Sequence, residues 1–201
     1  MRKKLHLVRH GQIDSNVSGA LDTAVPGPQL NATGLEQANA LVGKFEGVEI
    51  DSIWASTAIR TQMTASPLAA SRGLTLGILD GLREISAGEL EMSVEPHHRM
   101  TYHEVITQWI LGDLDIPLGK GTTGREVLDR FEEALTEIYD TDSDHTVVAA
   151  HGAIISFWTA VRCNNLTEEL FAQYPVVNTG IVSLEPTSQG WRALNWMGQE
   201  L

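Results

Sequence analysis

Short apolar runs alternate with longer segments of helical spacing along most of this 201-residue chain, and that alternation restricts the available folds more than anything else. Residues 5–8, 51–55, 74–79 and 145–150 read as strands. Between and after them lie helical segments. Residues 33–46 carry Leu35, Ala38, Leu41, Val42 and Phe45 at helical intervals, and Thr33 followed by Glu36 has the spacing of a capping box. Residues 58–72 have helical composition with Ser56 and Thr57 as candidate caps, and Pro67 marks a kink or a boundary. Residues 125–139 form an amphipathic helix through Val127, Leu128, Phe131, Ala134, Leu135 and Ile138. The most apolar strand, TVVAA, leads directly into an apolar helix at 153–161, and residues 176–184 and 191–196 read as closing strands. Residues 17–28, with glycine and proline, read as a loop. Such an order predicts an α/β fold, a three-layer sandwich with a mostly parallel central sheet flanked by helices. From 81 to 124 the alternation loosens into a helical stretch at 102–111 and the turn-rich GDLDIPLGKGTTG. We expect one domain over 1–201 with a small helical and loop cap at about 85–124.

A hydrophobic content of 42% suffices for a real core, and a formal net charge of -12 argues against nucleic acid or an anionic membrane surface as a partner. An anionic ligand must therefore be captured locally. The one cysteine, Cys163, excludes an intrachain disulfide and reads as a small residue closing a helix rather than a reactive thiol. The apolar run in MRKKLHLVRHG is too short for a signal sequence or a membrane span, so a cytoplasmic location is expected. Trp109, Ile110, Trp191 and Trp196 are assigned to the core.

Two strand ends share a form: HLVRHG and VVAAHG each run from apolar residues into His-Gly. Ligands of open α/β sheets bind at the carboxyl ends of strands, so His10 and His151 face one crevice if their strands are neighbours. Gly11 and Gly152 would let the backbone approach a ligand closely. Arg9 beside a buried strand end needs an anion. Arg60, early on the helix after the second strand, and Glu84, just past the third, belong to the same edge. Two histidines, two arginines and one carboxyl group suit a phosphoryl group, with each charge pair worth about 4 kcal/mol at ~4 Å and an effective dielectric near ~20.

These segments resemble the histidine phosphatase superfamily, the group that includes cofactor-dependent phosphoglycerate mutase. RHGQIDSN is similar to its R-H-G-x-T-x-x-N box, with Asn16 in place but Ile13 for threonine. STAIRTQMTA resembles its S-x-x-x-R-A-x-Q-T-A segment, with Thr61 and Met63 for alanine and glutamine. LREISAGELE keeps Leu82, Glu84, Gly88 and Glu91, and the closing NTGI at 178–181 also fits. Where relatives carry G-G-E-S, this chain has Gly121, Thr122 and Thr123.

The resemblance implies a phosphoglycerate mutase-like fold and a phosphatase of the histidine acid phosphatase type. In that scheme neutral His10 attacks phosphorus and forms a phosphohistidine. Arg9, Arg60 and a protonated His151 hold the phosphoryl oxygens, Asn16 adds a neutral hydrogen bond, and Glu84 is the general acid and base. It requires no metal or other cofactor, and its partner is a small phosphomonoester. His97, His98 and His103 lack accompanying ligands and are assigned to the cap rather than to a metal. The short chain favours hydrolysis; mutase-type transfer and a non-catalytic phosphate-binding protein are the alternatives.

Overall fold

The computed structural model describes residues 3–141 and 143–201. Strands β1 (Lys4–Arg9), β2 (Ser52–Ser56), β3 (Leu76–Leu79) and β4 (His145–Ala150) run parallel, while β5 (Ile181–Thr187), β6 (Gly190–Trp196) and β7 (Gln199–Glu200) continue the sheet antiparallel. Their spatial order is β3-β2-β4-β1-β5-β6-β7. β4 lies between β1 and β2, with Arg9 opposite Ala150 and Ala55 opposite Ala149. The ends of these three strands therefore lie level, and whatever follows each of them emerges at one edge.

Successive residues of a strand face opposite sides. Val148 and Ala150 join Leu5 and Leu7 in a core with Phe131 and Leu135 of α5 (Gly124–Tyr139) and Ile155 and Phe157 of α6 (Gly152–Arg162). Val147 and Ala149 join Val8, Ile53 and Ala55 on the other face, against Leu41 and Phe45 at the end of α2 (Ala32–Lys44) and Leu68 of α3 (Ile59–Arg72). The predicted three-layer sandwich is what forms. Each large apolar side chain buried in these layers contributes about 1.5–3 kcal/mol.

Several local expectations change. Helix α2 is capped by Asn31, whose side chain accepts from the Gly34 N–H, so the Thr33 box is not used; the helix stops at Lys44, and Leu35 is exposed. Neither Ser56 nor Thr57 caps α3, which starts from Ala58 without a side-chain bond and runs through Pro67 to a left-handed Gly73. A short helix α1 (Asp14–Ser18) occupies the start of the expected loop. In the cap, α4 (Pro96–Ile110) begins at Pro96 rather than residue 102, because proline's fixed φ suits a first helical turn. Thr123 and Glu126 form the reciprocal capping box that starts α5. A short α7 (Glu168–Gln173) was not anticipated, β3 starts at Leu76 rather than residue 74, and β5 starts at Ile181 rather than residue 176. Trp109 and Trp196 are fully buried and Trp191 packs partly buried against the core, but Ile110 is exposed. Cys163 closes α6 as expected, its thiol pushed up to about 12 by burial. Among the described residues no helix is long and apolar enough to cross a membrane.

The start of α2 presses directly on the chain leaving β1. A methyl group on Gly34 would lie 2.2 Å from the Gln12 carbonyl oxygen, and one on Gly11 would lie 2.7 Å from that of Gly34. Gly11 thus permits a backbone crossing, not the approach of a ligand. Overpacking of this kind typically costs about 1–3 kcal/mol. We expect Gly34→Ala to lower the unfolding free energy by about 2 kcal/mol, measured as a lower urea midpoint with an unchanged slope.

Candidate active site

Arg9 ends β1 and His10 follows it; His151 follows β4; Ser56 ends β2 and Arg60 lies on the next helix. Glu84 comes two residues after the 3-10 turn Asp80–Leu82 that leaves β3. The topology brings all of them to one cavity of about 450 Å³, lined by Arg9, His10, Asn16, Arg60, Glu84 and Gly152 among others. His151 stands directly behind that lining. It is fully buried, with its ring centroid 5.3 Å from that of His10. Its Nε2 lies 2.8 Å from Ser56 Oγ, which also meets Thr61 Oγ1 at 2.8 Å. Thr61 is one of the two departures from the family pattern in that helix, and here its hydroxyl braces the serine that orients His151.

His10 has a fixed tautomer. Its Nδ1 lies 2.7 Å from the Gly11 carbonyl oxygen, which only accepts, so Nδ1 carries the proton and Nε2 the lone pair. Burial, with Arg60 and Arg9 nearby, pushes His10 down to about 3 despite that bond. Burial and the same positive surroundings, including Arg130, hold His151 well below the ordinary range. Both imidazoles are neutral in the free protein, so the protonated state expected of His151 is not its resting state. A phosphoryl dianion beside it would reverse the sign of the local field and favour the proton.

The two arginines show what the cavity lacks. Arg9 Nη1 donates to the Val176 carbonyl at 2.7 Å, and Arg60 Nη2 to that of Asp22 at 3.3 Å. Among the described residues Arg9 Nε, Arg60 Nε, Arg60 Nη1 and His151 Nδ1 are buried without hydrogen-bond partners. Burial disfavours the charged form of both guanidinium groups and lowers their pKa from the ordinary value, while Glu84 acts in the opposite direction. Leaving the guanidinium donors unsatisfied costs about 1–3 kcal/mol each, more where charged, and a multi-oxygen anion would satisfy them together.

Glu84 is held by three backbone N–H groups, from Ala153 at 3.0 Å, Ile154 at 2.8 Å and Ile85 at 2.9 Å. Two of these are the first turn of α6, an N-terminus that welcomes a carboxylate. Arg130 of α5 fixes the preceding loop from behind, donating to the carbonyls of Gly81 at 2.8 Å, Arg83 at 2.9 Å and Glu84 at 3.4 Å. Nothing in the sequence marked Arg130 out from any other arginine on an amphipathic helix.

Asn16 lines the cavity, but its Oδ1 is committed to the Ile13 N–H and to Asn178 Nδ2 at 3.2 and 3.0 Å. Asn178 also donates to the His10 carbonyl at 2.9 Å, a bracing role that the strand-like NTGI pattern does not reveal. Ile13 does not shape the cavity. It is buried with Leu30, Ala38 and Met63, so two departures from the family pattern pack against each other. In the cap, His103 reaches the cavity with Arg99 and Tyr102, whereas His98 bonds Ser93 and lies against His97. Among the described residues no three His, Cys, Asp or Glu side chains form a metal-binding group.

The sequence profile of the histidine phosphatase superfamily, branch 1, matches residues 5–198. The chain belongs to this superfamily. A PE-PGRS family protein, PE_PGRS11 of Mycobacterium tuberculosis, is 36% identical over 96% of this chain, which spans only 36% of that protein's length. A putative phosphoserine phosphatase 2 of Hydrogenobacter thermophilus is 27% identical over 82% of each chain. Among solved structures, a mycobacterial glucosyl-3-phosphoglycerate phosphatase in complex with VO3 has a TM-score of 0.75 at 23% identity, covering 98% of this chain and 100% of that one, and so shares the fold.

The buried neutral histidines of this superfamily member link the site to stability. His6 on β1 is pushed down to about 4, mainly by burial, and His10 to about 3, whereas the unfolded chain takes up these protons near pH ~6.5. Between those values the unfolded state binds more protons, so stability falls as pH falls below ~6.5, by about 1.4 kcal/mol per histidine per pH unit. Urea unfolding should give a free energy several kcal/mol lower at pH 5 than at pH 7; equal values would mean that these histidines protonate inside the fold.

Proposed function

We propose that the protein is a phosphomonoester hydrolase that works through a phosphohistidine on His10 and acts on a small phosphorylated metabolite. The observation that carries this reading is the free Nε2 of His10, set beside three guanidinium N–H positions of Arg9 and Arg60 that are buried without an acceptor and that suit an anion. Attack of Nε2 on phosphorus forms the N–P bond and breaks the P–O bond to the leaving group. Glu84, carrying a proton taken up together with the substrate dianion, delivers it to the departing oxygen and is left as the carboxylate. Its carboxylate then removes a proton from water as that water's oxygen attacks phosphorus, and the N–P bond breaks to release phosphate and free His10.

Arg9 and Arg60 hold the phosphoryl oxygens through both steps, and His151, protonated once the dianion is bound, adds a third cationic donor. Because these groups are fixed by the sheet and helices before substrate arrives, little reorganisation accompanies the displacement. The relatives named for phosphoserine and glucosyl-3-phosphoglycerate support a leaving group of metabolite size, and a 450 Å³ cavity accommodates one.

His10→Ala should reduce hydrolysis of an aryl phosphate at least about 10³-fold. Rapid quenching of the wild type into alkali, where phosphohistidine survives, should recover a phosphorylated protein that the variant does not form. Absence of turnover by the wild type, or unchanged turnover by the variant, would refute the proposal.

Glu84→Gln keeps the shape and removes the proton donor. We expect its loss to be about 10²–10⁴-fold with an alkyl phosphate and much smaller with a nitrophenyl ester, whose leaving oxygen needs no proton. Equal losses with both esters would assign Glu84 a merely structural part.

A further inference from the structure

Asp22 and Glu84 are the acidic side chains that line the cavity, and hydrolysis as described above uses only Glu84. A second carboxylate in an anion site opposes binding, yet Asp22 is firmly built in. Its side chain is 8% exposed, and its Oδ2 accepts from Ser15 Oγ at 2.5 Å. The loop that carries it is tied to the base of the cap at four points. Glu91 accepts from the Thr23 and Ala24 N–H groups and from the Thr23 hydroxyl, the Ala87 N–H donates to that hydroxyl, and Leu21 exchanges backbone bonds with Met92 and Ser93. Asp22 cannot swing aside at low cost.

Its counterpart is Arg60. Oδ1 lies 3.9 Å from Arg60 Nη1, close enough for strong attraction but too far for a hydrogen bond. Nη1 is pressed against Gly27, where a methyl group would lie 2.2 Å away and where φ is +65°, a position that favours glycine. Asp22 therefore offsets part of the charge of Arg60 without closing a hydrogen-bonded ion pair, and Arg60 Nε and Nη1 keep no acceptor among the described residues.

We propose that Asp22 is a fixed counter-anion that weakens retention of inorganic phosphate, so that donors able to hold a transferring phosphoryl group still release the product. The inference rests on the phosphatase reading and assigns Asp22 to affinity tuning, not to bond making. It also bears on hydrolysis against transfer: an enzyme that must retain its phosphoryl group gains nothing from such a charge.

The test is direct binding of inorganic phosphate, by calorimetry, to the wild type, Asp22→Asn and Asp22→Ser, together with phosphate inhibition of aryl phosphate hydrolysis. Both substitutions remove the charge, and asparagine retains an acceptor for Ser15. We expect both variants to bind phosphate about tenfold more tightly, with a matching fall in the inhibition constant. A residue that only held Arg60 in place would weaken binding when removed. Unchanged or weaker binding in a variant that melts like the wild type overturns the inference alone. A wild type that neither hydrolyses the ester nor binds phosphate overturns the phosphatase reading and the inference with it.

Discussion

Arg60 is fully buried and Arg9 partly so, and each carries buried N–H groups that no acceptor among the described residues reaches. Two guanidinium charges beside one cavity repel each other and have lost much of their hydration, a cost of several kcal/mol per ion before compensation. Glu84 and Asp22 supply the compensation by proximity and not by closed ion pairs. The same positive field reaches His10 and His151 and, added to burial, keeps them neutral. The neutral histidines and the unpaired guanidinium N–H groups thus share one origin, two arginines held at a strand edge without being fully paired.

Holding that arrangement is the work of the scaffold. The parallel register of β1, β4 and β2 puts three functional segments on a level, and side chains that never touch a ligand then fix their orientation. Thr64 accepts from the Gly11 N–H and donates to the Arg60 carbonyl, linking the His10 loop to α3. Ser56 and Thr61 do the same for His151, and Arg130 for the loop that ends in Glu84. Lys44, at the end of α2, donates to the carbonyl of Thr179, whose N–H in turn donates to the Arg9 carbonyl. Thr179 has φ of +52°, a left-handed conformation uncommon outside glycine, so the turn facing Arg9 is held by neighbours and not by its own preference.

The layer order and the clustering of His10, His151, Arg9, Arg60 and Glu84 were legible because both depend on what immediately follows a strand, a local property. Helix boundaries were less so. Asn31 competed with Thr33 for the same first turn, and only the tertiary packing of Gly34 on Gln12 decides between them. Gly11 illustrates the opposite failure: a glycine beside a functional histidine invites a ligand-based explanation, but helix α2 claims the space. Ile13 and Met63 looked like separate departures from a family pattern. Their shared burial makes them one exchange of polar for apolar packing beneath the site. Asn178, Arg130 and Asp22 were illegible because their meaning lies in partners far along the chain.

The net charge of -12 and the cationic cavity pull a phosphorylated metabolite in opposite directions, and distance decides which prevails. Screening at physiological salt extends over about 8 Å, so most surface carboxylates act weakly on a ligand at the cavity mouth. Inside the cavity the charges of Arg9, Arg60 and Asp22 are screened less than those on the surface, because their side chains are largely buried. Discrimination among anions therefore belongs to the few charges within a Debye length of the phosphorus. A dianion that presents oxygens to both arginines gains from each, whereas a carboxylate of the same charge density gains from fewer donors and still meets Asp22. The acidic exterior and the built-in carboxylate work in the same direction, both penalising any anion unable to engage both arginines at once.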